Sequence, residues 1–298
     1  MGKPQVLPEY DHPPQYFRHG HGHRQHYVDT GSGAPVLMLH GNPSWSYYFR
    51  RVINALRSSH RCIVPDHIGM GRSDKPSAER YDYHLQQRVD DLDALIEHLI
   101  RNQGAPETGW TLIVHDWGGM IGMAWACRHP ERVARLVILN SGAFPNPNAL
   151  KLPWTLKLVR NTWLGAQLVQ RFNAFAWGAS RWGVKRAMAK AERAALLSPY
   201  DSMANRIATL KFVQDIPLTP ADRSFDLIQR TGEQLDQFAD RPALIFWGNH
   251  DFVFDDRFLA VWRQKLPRAL VHEYADAGHY VLEDAYERII PELRRFLS

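Results

Sequence analysis

Three ionisable residues stand in an order that covalent catalysis uses. Asp116 sits in His115-Asp116-Trp117-Gly118-Gly119, Asp251 in Trp247-Gly248-Asn249-His250-Asp251, and His279 in Asp276-Ala277-Gly278-His279-Tyr280. Ahead of Asp116, the branched apolar run Trp110 to Val114 predicts a buried strand, and behind it Met120 to Arg128 predicts a helix. A strand that turns into a helix through small residues is a nucleophile elbow. It lifts its central side chain above the sheet edge and aims backbone N–H groups at it. Here that side chain is an aspartate where a serine is more usual. A carboxylate nucleophile attacks carbon and forms an ester; with an alkyl substrate it displaces a leaving group at a saturated carbon.

The partners of Asp116 follow from chain order, which behind such an elbow runs nucleophile, acid, histidine. There are 15 histidines, and the place of His279 directly after the last predicted strand singles it out. The acid is expected at Asp251, just past the predicted strand Ala243 to Gly248. The strand before that one runs into Leu139-Asn140-Ser141-Gly142-Ala143-Phe144, which has no carboxylate. Asp255 and Asp256 read as acids capping a helix. His279 would activate water against an ester, with Asp251 holding its tautomer. A leaving group that departs as an anion needs preorganised donors. The indole N–H of Trp117 and the side-chain amide of Asn42, in His40-Gly41-Asn42-Pro43, could serve, and both residues also place backbone N–H groups at oxyanion-hole positions.

The elements around these residues alternate. Strands are predicted at Gln25 to Thr30, Pro35 to His40, Arg61 to Asp66, Arg132 to Asn140, Ala243 to Gly248 and Ala269 to Tyr274, with helices near Ser44 to Arg57, Leu85 to Arg101, from about Asp255, and from about Val281. That rhythm implies an α/β protein with a mostly parallel sheet covered on both faces. It breaks after Ser141. From Asn146 to about Leu235 no strand pattern occurs, and the stretch is helical, aromatic and basic, with 13 Lys/Arg against 6 Asp/Glu. Residues 1–143 and 236–298 are therefore expected to form the core and 144–235 a helical lid, with most of its Trp and Phe residues packing lid against core. The loop His67 to Asp74 lacks the G-x-G-x-x-G spacing and reads as turn geometry. In a strand, His19, His21 and His23 would share one face. No cysteine or carboxylate cluster stands beside them in sequence, so they read as an entry strand and no metal is expected.

Composition is that of an ordinary globular protein, with 45% hydrophobic and 22% charged residues. A net charge of +5 without a Lys/Arg block or nucleic-acid motif implies no nucleic-acid partner. Cys62 and Cys127 make neither a disulfide framework nor a metal spacing and read as core thiols. No apolar signal core and no membrane-length run occurs, and Val6 spoils a myristoylation motif after Gly2, so a cytoplasmic location without a transmembrane segment is expected. A binding module without catalysis would have no reason to hold Asp116, Asp251 and His279 in triad order.

Four stretches together carry a family resemblance: His40 to Arg50, Asp66 to Pro76, Val114 to Gly119 and Ala277 to Tyr280. They resemble the haloalkane dehalogenase branch of the α/β-hydrolases over nearly the whole chain. Ser198 to Pro217 and Gly278 to Ala285 are similar to a narrower group, the cis-β-lactone decarboxylases of bacterial long-chain olefin biosynthesis. Arg72 departs from that group, where an apolar residue such as Leu is expected. The resemblance implies an α/β-hydrolase fold without cofactor. It also implies a hydrophobic substrate with long alkyl chains, release of an alkene and carbon dioxide, and an assembly with the other olefin-pathway enzymes. The alternatives in the same framework are dehalogenation of a haloalkane through an alkyl ester, and epoxide hydrolysis. The latter needs lid tyrosines, and this lid contains only Tyr200.

Overall fold

The computed structural model describes residues 7–148 and 152–298. The N-terminal stretch with Gly2 and Val6, and residues 149–151 of the helical segment, lie outside the described residues. Eight strands form one sheet: β1 (Gln15–Arg18), β2 (Arg24–Thr30), β3 (Ala34–Leu39), β4 (His60–Pro65), β5 (Trp110–Asp116), β6 (Val133–Ser141), β7 (Ala243–Gly248) and β8 (Leu270–Tyr274). Their spatial order is β1-β2-β4-β3-β5-β6-β7-β8, with β2 antiparallel to both neighbours and every pair from β4 to β8 parallel.

The period of two along each strand sorts its side chains onto two faces. Leu37, Leu39, Leu112, Val114, Leu136 and Ile138 enter one cluster, while Val36, Met38, Ile113, Val137 and Leu139 enter the other. On the second face lie α1 (Arg50–Leu56), which a short 3-10 turn precedes, and the C-terminal helix. On the first lie α2 (Leu85–Gln103) and α3 (Trp117–Arg128). Both faces of the sheet are thus covered, as the uninterrupted apolar strands require.

Between β6 and β7 the chain forms α4 (Trp154–Asn161), α5 (Trp163–Phe172), α6 (Ala174–Trp182), α7 (Lys190–Leu197), α8 (Ile207–Gln214) and α9 (Phe225–Gln234). Leu156, Val159, Val169, Leu210 and Val213 give α4, α5 and α8 a small core of their own. α9 returns to the sheet, where Ile228 joins the cluster beside α3. The aromatic residues depart from expectation. Trp154, Trp163, Phe172, Trp177 and Trp182 are exposed and Phe175 is half-buried, whereas Phe212 is fully buried. Composition signals an apolar face; whether a neighbour covers it depends on how short helices are set against the sheet. The chain closes with α10 (Asp256–Lys265), which Asp255 caps through the Arg257 N–H, and α11 (Val281–Leu297).

The start of α11 is anchored from two sides. Glu283 receives both Arg50 Nη atoms, at 2.6 and 2.8 Å, with Arg50 itself buried against the Tyr47 ring. Asp284 accepts backbone N–H groups from Gly278, Lys185 and Arg186, joining the His279 loop to the segment between α6 and α7. A buried pair broken from one side leaves an uncompensated charge. Glu283→Ala should therefore cost about 3 kcal/mol, the lower end for such breakage because Glu192 remains beside Arg50. Denaturant unfolding at unchanged m-value checks this; a loss below about 1 kcal/mol would reduce the pair to a surface bridge.

Candidate active site

Asp116 ends β5 at φ 52° and ψ −124°, a backbone state that L-residues adopt at a cost of about 1–3 kcal/mol. The surrounding turn leaves no room to relax it. A Cβ on Gly41 would meet Asp116 Oδ1 at 1.9 Å, and one on Gly118 would meet the Leu39 carbonyl at 2.0 Å. Ser141 Oγ donates to the Asp116 carbonyl at 2.6 Å, tying the elbow to the end of β6. The result is a carboxylate raised above the sheet edge and buried.

One carboxylate oxygen is gripped and the other faces the histidine. Oδ1 accepts the Asn42 backbone N–H at 2.6 Å, and the Trp117 backbone N–H also donates to the carboxylate. Oδ2 lies 3.8 Å from His279 Nε2. His279 Nδ1 bonds Asp251 Oδ2 at 2.8 Å, and Asp251 Oδ1 accepts the Val253 and Phe254 N–H groups at 2.7 and 3.1 Å. With its carboxylate held this way, Asp251 keeps the His279 proton on Nδ1 and turns Nε2 toward Asp116. Phe254 stacks on the His279 ring, while His115 Nε2 donates to the His279 carbonyl at 2.9 Å.

Electrostatics follow from burial. Loss of water raises the Asp116 pKa, opposed by the charge of His279 and by the Trp117 and Asn42 N–H groups. Burial lowers that of His279, but the charge and hydrogen bond of Asp251, then the charge of Asp116, leave it raised above the ordinary histidine value.

Above Asp116 lies a cavity of about 580 Å³, within the range of sites that enclose drug-sized ligands. Asn42, Asp116, Trp117 and His279 form its polar floor, and side chains such as Phe175, Val159 and Val213 of the helical segment form apolar walls. The five residues singled out from sequence are thus together, with Asp251 behind His279. Asn42 has a second task that was not legible: its Nδ2 donates to the Thr209 carbonyl of α8 at 3.0 Å, tying the floor to the helical segment. Among the described residues no tyrosine lines the cavity, and the Tyr200 hydroxyl donates instead to the Ser44 carbonyl at 3.2 Å. Arg72, the departure noted above, packs over the Tyr10 and Trp45 rings and does not line the cavity.

Sequence inspection also passed over Arg88. It is buried on α2, bonds Asp215 Oδ2 at 3.0 Å, and lies 3.7 Å from the centre of the Phe212 ring and 5.3 Å from that of Trp117. The available signal was an arginine one turn from Leu85 and Leu92 on the apolar face of a helix.

The family described as the alpha/beta hydrolase fold matches residues 34–286. A cis-3-alkyl-4-alkyloxetan-2-one decarboxylase of Shewanella oneidensis is 52% identical, over 95% of this chain and 88% of that protein. One of the same name from Xanthomonas campestris pv. campestris is 51% identical, over 91% of each. A haloalkane dehalogenase of Mycolicibacterium paratuberculosis is 30% identical, over 88% of this chain and 83% of its own. The crystal structure of a haloalkane dehalogenase from Bradyrhizobium elkani is similar with a TM-score of 0.83 and 26% identity, covering 96% of this chain and 98% of that one.

A raised folded-state pKa means that folding favours the protonated His279 ring. That contribution is complete below the ordinary histidine pKa and is lost as pH climbs through the folded value. NMR titration of the ring should show this elevation, and Asp251→Asn should bring the pKa down by removing the opposite charge. An unchanged titration in the variant would sink the assignment of Asp251 as the charge partner.

Proposed function

The chain belongs to the α/β-hydrolase fold family, and from that premise we propose that it is a cis-β-lactone (cis-3-alkyl-4-alkyloxetan-2-one) decarboxylase. It is a carbon–carbon lyase that converts the lactone to a cis-alkene and carbon dioxide. The observation that carries this function is the 52% identity over 95% of the chain to a protein of that activity.

In this proposal Asp116 is the nucleophile. Its Oδ2, the oxygen that faces His279, attacks the alkyl carbon of the four-membered ring. The ring C–O bond breaks and leaves a carboxylate, which the Trp117 indole and the Asn42 amide receive. Loss of carbon dioxide then supplies the electron pair of the new C=C bond, and the bond to Asp116 breaks as its carboxylate returns. No water is consumed. Attack at the alkyl carbon is favoured over the carbonyl because the Asn42 and Trp117 backbone N–H groups, which would stabilise a carbonyl oxyanion, already hold the Asp116 carboxylate. His279, whose pKa Asp251 helps to raise, stands 3.8 Å from the carboxylate that is regenerated.

The division into a core of 1–143 and 236–298 and a lid of 144–235 is part of the same proposal, supported by the lid side chains over Asp116. The apolar walls suit a substrate with long alkyl chains. A cytoplasmic location and association with the enzymes that supply the lactone complete it. Two free cysteines support the first, and the exposed Trp163, Phe172 and Trp177 the second. No helix among the described residues is long and apolar enough to cross a membrane.

The test offers the purified protein a long-chain cis-β-lactone and, separately, a 1-bromoalkane. Alkene from the first with negligible bromide from the second is the expected outcome, and the reverse ratio identifies a haloalkane dehalogenase. Asp116→Ala should abolish the activity while circular dichroism stays unchanged; retained turnover would falsify the nucleophile assignment.

A further inference from the structure

The turn that joins β1 to β2 holds a second cluster of potential ligands. His19 to His23 do not continue the strand. The His19 N–H bonds the His23 carbonyl at 3.0 Å and the Gly22 N–H bonds the His19 carbonyl at 2.9 Å, closing a compact turn with Gly22 at φ 89°. This turn sets His19 and His21 beside Asp91 of α2, a carboxylate some 70 positions away that inspection of the sequence did not pair with them. His21 Nε2 lies 3.0 Å and His19 Nδ1 3.7 Å from Asp91 Oδ1, and the three ligand atoms all fall within 4.8 Å of one another. Zinc–ligand bonds of about 2.1 Å in a tetrahedron separate ligand atoms by about 3.4 Å, close to these spacings.

The surrounding bonds orient each ligand. The Gln25 side-chain N–H donates to the Asp66 carbonyl at 3.1 Å, so its Oε1 accepts from His19 Nε2 at 2.8 Å. In the neutral ring, Nδ1 is then the unprotonated nitrogen, and its lone pair faces a carboxylate inside the protein. That arrangement is repulsive unless a proton or a metal cation lies between them. Asp91 is held in turn by the Tyr81 hydroxyl at 2.6 Å and by Gln87 Nε2 at 2.9 Å. His19 and Asp91 are buried, while His21 is partly exposed and gives access from solvent. A histidine whose second nitrogen bonds an amide oxygen, and a carboxylate whose oxygens are independently bonded, are the outer contacts that metal ligands use.

We propose that His19 Nδ1, His21 Nε2 and Asp91 Oδ1 bind one divalent transition-metal ion of the zinc class, with water completing the coordination. The ion fastens the β1–β2 turn to α2. The site is separate from the cavity over Asp116 and does not depend on the function proposed above.

Untagged full-length protein is stripped with chelator, dialysed and titrated with zinc ion alone, with metal content read by mass spectrometry and affinity by calorimetry. The expected result is one zinc per chain, at least tenfold weaker affinity in both His21→Ala and Asp91→Asn, and a zinc-dependent rise in Tm that only the wild type shows. His21 is at the surface, so its variant folds even where the buried Asp91→Asn does not. Failure to retain zinc, or equal affinity in wild type and His21→Ala, overturns the proposal.

Discussion

A carboxylate taken out of water costs several kcal/mol unless hydrogen bonds or an opposite charge compensate it, and most of the molecule around Asp116 meets that requirement. Its Oδ1 accepts the Asn42 backbone N–H, which demands that the His40-Gly41-Asn42 loop approach within van der Waals contact and so that residue 41 be glycine, and the Trp117 backbone N–H also donates to the carboxylate. Its Oδ2 faces His279, which Asp251 orients through Nδ1. Because burial raises the carboxylate's pKa while these partners oppose the rise, the group is ionisable and weakly solvated at once. That is the state the nucleophilic role proposed for Asp116 needs.

The same constraint explains why the site draws on so much of the fold. Asn42 follows β3, Asp116 ends β5, Ser141 ends β6, Asp251 follows β7 and His279 follows β8, all on the edge where parallel strands finish. A parallel sheet brings these ends together without any of the loops being near in sequence. Glu283 and Asp284 then fix the His279 loop from behind, against Arg50 and against the backbone at Lys185 and Arg186. Thr209 reaches down to Asn42 from α8. The helical segment therefore belongs to the site twice, as the wall of the cavity and as a hydrogen-bond partner of its floor.

Charge placed beneath apolar side chains recurs away from the triad. Arg88, buried against Phe212 and beside Trp117, pairs with Asp215, which also accepts from His84, Leu85 and Ser224. The network fixes the Phe212 and Trp117 rings that meet edge to face at 5.2 Å, and Trp117 lines the cavity. A buried ion pair seldom adds stability over an apolar replacement, and holding two rings in one orientation is a use for it.

The sequence by itself determined what local chemistry can determine. Alternation of branched apolar runs with helical periodicity set the sheet, the glycines after Asp116 set the elbow, and the triad order pointed to Asp251 and His279 through their positions after strands. Capping at Asp255 was legible for the same reason, since a cap is a contact between near neighbours. Tertiary structure decided whatever depends on groups far apart in the chain. The tryptophans of the helical segment could be recognised as apolar but not as exposed, because exposure depends on the neighbour. Arg88 could be seen only as an odd arginine on an apolar face until Phe212 and Asp215 were set against it. The histidines at 19 and 21 read as a strand face, and only the packing of α2 against the β1–β2 turn brought Asp91 to them. Periodicity constrains direction along one element; distances between elements are fixed by the packing of all of them together.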